Sequence, residues 1–99
     1  MASEMSPLQA AELLRSGQAQ LVDVREPYEH EAGRIEGSLH IELERLPGEA
    51  AALDRDRPIL FYCRSGSRSA LAADAFAASG YDAHNLDGGL KAWVGAGLP

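Results

Sequence analysis

A single cysteine, Cys63, is followed by six small, polar or cationic residues, Arg64-Ser65-Gly66-Ser67-Arg68-Ser69. A turn of Ser65, Gly66 and Ser67 can aim successive backbone N–H groups inward as an anion-binding nest. A helix starting just beyond would add its own unpaired N–H groups and the positive end of its dipole. Arg64 and Arg68 bring two permanent cations to the same place. A thiol in such surroundings loses its proton readily. Its ordinary pKa of about 8.5 falls to roughly 3.5–7.5 at helix N-termini or beside cations. A drop of two units needs only about 2.7 kcal/mol of differential stabilisation. The resulting thiolate is a nucleophile and a natural carrier of a transferred sulfur atom. A cysteine ending a buried strand is more often a small core residue. The polar, glycine-containing, basic sequence that follows Cys63 argues here for a reactive thiol.

The elements that would position this loop are signalled on either side of it. Pro58-Ile59-Leu60-Phe61-Tyr62 is a continuous apolar run, as expected of a strand buried on both faces of a parallel sheet. Ser69 to Ser79 reads as a helix stopped by Gly80, with Leu71, Ala72, Ala75 and Phe76 on one side. The small residues Ala70, Ala73, Ala77 and Ala78 allow a close approach to a sheet. In open α/β sheets, ligands bind beyond the carboxyl ends of strands, which is where Cys63 falls.

Upstream, Ser6, Pro7 and Gln9 form a capping-box start for a helix ended near Gly17, with Leu8, Ala11 and Leu14 sharing a face. Strands are expected at Leu21 to Val24, Gly37 to Ile41 and Tyr81 to Leu86, and short helices at Glu26 to Glu31, Glu49 to Leu53 and Gly89 to Val94. This alternation predicts a three-layer α/β/α sandwich around a mainly parallel sheet of four to five strands. Ninety-nine residues are expected to form one domain, 1–99.

Composition narrows the function. The net charge of −6 disfavours binding to nucleic acid phosphates, although a small anion could still bind where basic groups concentrate. With one cysteine and three scattered histidines, no internal disulfide, metal-ligand spacing or cofactor motif is present, so neither metal nor cofactor is expected. No run approaches the ~20 apolar residues of a membrane span. The opening MASEMSPLQAAELL lacks the pattern of a signal peptide, and a cytoplasmic location is expected.

Several segments together resemble the single-domain members of the rhodanese family. Leu21-Val22-Asp23-Val24-Arg25-Glu26 is similar to the family's first signature, followed by Pro27-Tyr28-Glu29 and Gly33-Arg34-Ile35-Glu36-Gly37-Ser38. Tyr62 to Ser69 is similar to the active-site loop of thiosulfate-type sulfurtransferases. Leu86-Asp87-Gly88-Gly89-Leu90-Lys91-Ala92-Trp93 resembles the closing signature. Arg34, Glu36 and the Ser38 to Glu42 stretch depart from the family's usual residues, all outside the loop. The resemblance implies that Cys63 takes sulfane sulfur from a small anionic donor such as thiosulfate. The persulfide would pass it to cyanide or a thiol, or to a sulfur-accepting protein. The N–H groups of residues 64 to 69 would cradle the persulfide, and Arg64 and Arg68 would attract the donor and stabilise departing sulfite.

Asp23 and Arg25 are expected to support the active-site face through hydrogen bonds, against the simpler reading of a turn-capping acid beside an exposed arginine. Trp93 is expected to pack in the core or as a lid, and His30, His40 and His84 to be surface or satisfied residues without a catalytic role. A phosphatase or arsenate reductase on the same fold is the nearest rival. Its Cys-x5-Arg loop differs from the four residues between Cys63 and Arg68, and no second thiol is available to resolve an arsenate intermediate. A regulatory module without catalysis is the other alternative, and the intact cysteine and loop argue against it.

Overall fold

The computed structural model describes residues 1–99. Its centre is a five-stranded, wholly parallel sheet in the order β1-β5-β4-β2-β3. The strands are β1 (Ser3–Met5), β2 (Gln20–Asp23), β3 (Leu39–His40), β4 (Ile59–Tyr62) and β5 (Ala83–Leu86). Helices α1 (Pro7–Arg15), α2 (Pro27–Ala32), α3 (Leu46–Glu49) and α4 (Ser67–Ala78) connect them, and α5 (Gly89–Gly95) follows β5. The expected three-layer parallel α/β architecture is therefore present.

The central strand β4 explains the layering. All four of its residues are buried, and alternation sends Ile59 and Phe61 to one face and Leu60 and Tyr62 to the other. Phe61 joins Val22, Ile41, Leu46 and the α4 residues Ala72, Ala73 and Phe76. Leu60 and Tyr62 join Ala10, Leu21, Leu86 and Trp93, so Trp93 belongs to the core. Complete burial of each large side chain contributes about 1.5–3 kcal/mol.

Two elements depart from the sequence expectation, and two helices turn to the core a face that their larger apolar residues do not mark. Ser3–Met5 was not anticipated as a strand, because a three-residue edge carrying Ser and Glu has no apolar run; its pairing with β5 supplies the signal that its own residues lack. The helical segment expected at Glu49 to Leu53 begins earlier, as a 3-10 turn over Leu43–Arg45 followed by α3. Pro47-Gly48 looks like a breaker in sequence, yet proline is accommodated in a first helical turn. On α1 the buried residue is Ala10, and Leu8 is 69% exposed. On α4 the buried stripe is Ser69, Ala72, Ala73 and Phe76, while Leu71 is 66% exposed.

The rotation of α4 has a local cause. Ser69 turns inward to Cys63, and residue 71 then lies about 200° further round the helix, on its outer side. The first helix has the expected capping box: Gln9 N–H donates to Ser6 Oγ at 3.2 Å, and Ser6 N–H donates to Gln9 Oε1 at 2.9 Å.

Candidate active site

Cys63 leaves the carboxyl end of β4 and is 1% exposed. The chain then turns within three residues into α4, which starts at Ser67, two residues before its expected start. Gly66 caps the helix at φ +102°, a conformation that side-chain-bearing residues rarely adopt. This early start places Ser67, Arg68 and Ser69 in the first helical turn, where backbone N–H groups have no helical partner. Gly66 N–H donates to Cys63 Sγ at 3.1 Å, Ser69 N–H at 3.5 Å and the Ser69 hydroxyl at 3.3 Å. Burial pushes the thiol pKa up, but the Ser69 hydroxyl and the N–H groups of Ser69, Gly66 and Ser65 outweigh it. The thiol is held below its ordinary value.

The other wall of the turn is the start of α5. Leu90 N–H donates to Cys63 O at 2.8 Å and Lys91 N–H to Arg64 O at 3.0 Å. A Cβ on Gly89 would lie 2.5 Å from Cys63 O and 2.6 Å from Arg64 O. Gly89 is thus required by close backbone approach, and Gly88 before it by its left-handed φ of +76° and the nearness of Ala92 Cβ.

The two loop arginines differ. The Arg64 side chain is exposed and forms no ion pair, so it remains the free cation expected there. Arg68 makes a two-pronged bridge to Glu29 on α2, Nη1 to Oε1 at 2.7 Å and Nη2 to Oε2 at 3.0 Å. Hydrogen bonding from Arg68 drops the Glu29 carboxyl to about 2. Glu29 and, less strongly, Cys63 raise the affinity of the Arg68 guanidinium for its proton. Arg68 is therefore a partly neutralised cation, and Glu29 is a site neighbour that sequence reasoning did not assign. Its sequence signals are its place in the short acidic helix and in the Pro27-Tyr28-Glu29 stretch that carries the resemblance.

Asp23 and Arg25 make no hydrogen bond to Cys63. Both are buried, so the exposed-arginine alternative is excluded. Asp23 Oδ1 accepts from Arg25 N–H at 3.0 Å and Nε at 2.9 Å, and Oδ2 accepts from Arg25 Nη2 at 2.8 Å. Oδ2 also meets His30 Nδ1 at 2.7 Å and the Tyr62 hydroxyl at 3.2 Å. His40 Nε2 pairs with Arg25 O at 2.8 Å, and the rings of His30 and His40 stack at 4.5 Å. His84 pairs with Asp82 and Ser3. All three histidines are satisfied structurally. Tyr62 and His30 were not picked out from sequence as members of this network.

A cleft of about 460 Å³ beside the loop is lined by Arg64, Lys91, Tyr28, Leu90 and Val94 among others. A larger apolar groove of about 620 Å³, between Leu46 and Phe76, contains no residue of the Cys63 loop. Carboxylates of Glu26, Glu42 and Glu44 converge within 4.8 Å of one another, again without any loop residue. No helix is long and apolar enough to cross a membrane.

The comparisons agree with this geometry. Residues 6–96 match the model of the rhodanese-like domain. The chain is 39% identical over 90 residues to the thiosulfate sulfurtransferase GlpE of Pseudomonas paraeruginosa, covering 90% of this chain and 81% of that one. A rhodanese-related protein of Thermoplasma volcanium superposes with a TM-score of 0.90 at 28% identity, covering 98% of this chain and 95% of that one. The human single-domain sulfurtransferase gives a TM-score of 0.82 at 28% identity, covering 96% and 97%. The chain belongs to the rhodanese-like domain family and is, at the level of that family, a sulfurtransferase.

Proposed function

We propose that this protein moves sulfane sulfur from a small anionic donor, thiosulfate being the test case, to a thiophilic acceptor through a persulfide on Cys63. The supporting observation is the cradle itself: two N–H groups and one hydroxyl aimed at a buried sulfur. The Cys63 thiolate attacks the outer sulfur of thiosulfate. The Sγ–S bond forms, the bond to the sulfonate sulfur breaks, and sulfite leaves with that electron pair. The negative charge now rests on the outer persulfide sulfur, one atom further into the same ring of donors. Such donors need no reorganisation as charge moves, which is where electrostatic catalysis is most effective. Arg64 draws the anionic donor to the loop, and Arg68 stabilises the departing sulfite.

Discharge requires an outside nucleophile, since the chain has no other cysteine. Cyanide attacks the outer sulfur to give thiocyanate and regenerates the thiolate; a small thiol or a protein thiol in the cytoplasm accepts it in the same manner. The four-residue spacing from Cys63 to Arg68 favours this reading over phosphatase or arsenate reductase chemistry. The test is intact mass after incubation with thiosulfate, then after cyanide. Wild type is expected to gain one sulfur atom and lose it to cyanide, and Cys63→Ser to gain none while keeping its fold. Equal gain in Cys63→Ser would remove Cys63 from the mechanism. No gain in wild type, with turnover of a phosphate or arsenate substrate, would establish the rival.

A further inference from the structure

Behind the cradle stands a residue that lies outside the loop motif. Asn85, in β5, is 2% exposed. Its Nδ2 donates to Gly66 O at 3.1 Å and to the Glu4 carboxylate at 3.0 and 3.2 Å. Its Oδ1 has no hydrogen-bond partner in the chain. Both groups facing Nδ2 are pure acceptors, so the amide's orientation follows from chemistry. Turned over, Oδ1 would face a carbonyl and a carboxylate. An unpaired buried acceptor calls for an explanation, and the donor end of the same side chain supplies it.

Gly66 is the residue whose N–H points at Cys63 Sγ. Its carbonyl accepts from Ala70 N–H at 3.1 Å as well as from Asn85. A Cβ at Gly66 would lie 3.2 Å from Gly88 N and 3.4 Å from Leu86 O, so the loop rests directly on the segment that ends β5. Asn85 is the side chain by which that wall grips the loop. Glu4, its register partner on the edge strand β1, accepts from the same amide. A continuous path therefore runs from β1 through Asn85 and Gly66 to the sulfur.

We propose that Asn85 is a positioning residue of the sulfur-transfer site: by holding the Gly66 carbonyl it fixes the glycine whose N–H stabilises the charged sulfur, and Glu4 orients its amide. A glycine is the residue least able to hold its own φ and ψ. A donor contributes fully to a charged sulfur only when it is aimed beforehand. The hold on Gly66 supplies that aim. The inference rests on the sulfurtransferase reading for its role in turnover, while its effect on the thiol is independent of any donor.

The experiment follows iodoacetamide alkylation of Cys63 against pH in wild type, Asn85→Ser and Asn85→Asp, with thiosulfate kcat and KM alongside and circular dichroism to verify folding. Serine is too short to reach Gly66 O; aspartate sets a carboxylate against it. The charged groups around Cys63 (Arg64, Arg68 and Glu29) are unchanged in Asn85→Ser, which therefore decides the matter, whereas Asn85→Asp adds a carboxylate that also raises the midpoint by its charge. The alkylation midpoint is expected to rise by about one pH unit in Asn85→Ser and further in Asn85→Asp, and kcat to fall about tenfold with KM little changed. A folded Asn85→Ser with the wild-type midpoint and kcat would overturn the proposal. Should neither variant fold, Glu4→Ala, at an exposed edge-strand position, decides the matter: a smaller upward shift supports the proposal and an unchanged midpoint overturns it. If the midpoints shift but wild type takes no sulfur from thiosulfate, the sulfurtransferase reading fails and the positioning of the thiolate stands.

Discussion

Cys63 follows the end of β4 and Asp23 ends the neighbouring β2, paired in register with Tyr62, so two buried acidic groups sit side by side at the carboxyl end of the sheet. Their surroundings differ in kind. The hydrogen bonds to Cys63 Sγ come from Gly66 and Ser69 and are made by neutral N–H and O–H groups, with the partly neutralised Arg68 guanidinium nearby. Asp23 is gripped by the guanidinium of Arg25, by His30 from α2 and by the Tyr62 hydroxyl from β4. Burial alone would push both pKa values up, and in both the hydrogen bonds reverse the direction. A thiolate held by neutral donors keeps its electron pair available. A carboxylate clamped by a buried cation does not, and what it provides is attachment between elements. Arg25 extends that attachment by donating from Nη2 to Gly33 O at 2.6 Å, just beyond α2.

Asp23→Ala is the strongest way to separate the two centres. It leaves the Arg25 cation buried without its partner, and breaking such a pair costs about 3–5 kcal/mol. Urea unfolding is expected to show that loss, with the Cys63 alkylation midpoint moving by no more than a few tenths of a unit. A large shift in the midpoint with little loss of stability would show the reverse assignment, Asp23 acting on the thiol.

Ser69→Ala addresses the other centre and is expected to give the opposite pattern. It removes one of the three donors at Sγ and leaves the Asp23 network intact. The alkylation midpoint should rise toward the ordinary thiol value by about one unit, equivalent to about 1.4 kcal/mol. Loss of one neutral hydrogen bond should lower the melting temperature far less than Asp23→Ala does. An unchanged midpoint would mean that the backbone N–H groups alone lower the thiol pKa.

These two centres also differ in how far their sequence announces them. Every hydrogen-bond donor to Sγ lies between residues 66 and 69, so the nest, the helix start and the cations were legible as one segment. The strand before it was equally plain, because β4 is buried on both faces and therefore uniformly apolar. The Asp23 centre joins residues 39 positions apart in the chain, and only the pairing of β2 with β4 brings Tyr62 to the carboxylate. The same holds for Glu29 with Arg68, and for Glu4 with Asn85, which are 81 positions apart. The rotation of α4 is hidden in the sequence for a related reason. Apolarity alone places Leu71 inside, but the inward residue that fixes the helix is the polar Ser69, chosen by its contact with sulfur. Local chemistry was visible; contacts that depend on sheet order were not.

The Glu29–Arg68 bridge joins the two centres, since α2 carries both Glu29 and the His30 that bonds Asp23, while Arg68 belongs to the cysteine loop. Glu29→Gln tests that link and has the smallest expected effect. The Glu29 carboxyl is held at about 2 in the folded chain, below its ordinary 4.5, chiefly by the Arg68 hydrogen bonds and against the opposing effect of burial. A depressed carboxyl pKa stabilises the fold fully above the ordinary value and loses that contribution as pH falls through the window from 4.5 to 2. Solvent screening at the partly exposed Arg68 limits the contribution to on the order of 1 kcal/mol at pH 6, or about 4–8 °C in melting temperature for a domain of this size. Melting curves of wild type and Glu29→Gln should therefore differ at pH 6 and converge toward pH 2. A gap that persists undiminished at pH 2 would show that the bridge stabilises by packing and not by charge. The variant also releases Arg68 from its counter-ion, and the Cys63 alkylation midpoint should fall by a few tenths of a unit as the freed cation faces the sulfur. A rise in place of that fall would show that Glu29 acts mainly by holding Arg68 where it meets the thiolate, which would make α2 a structural part of the cysteine centre.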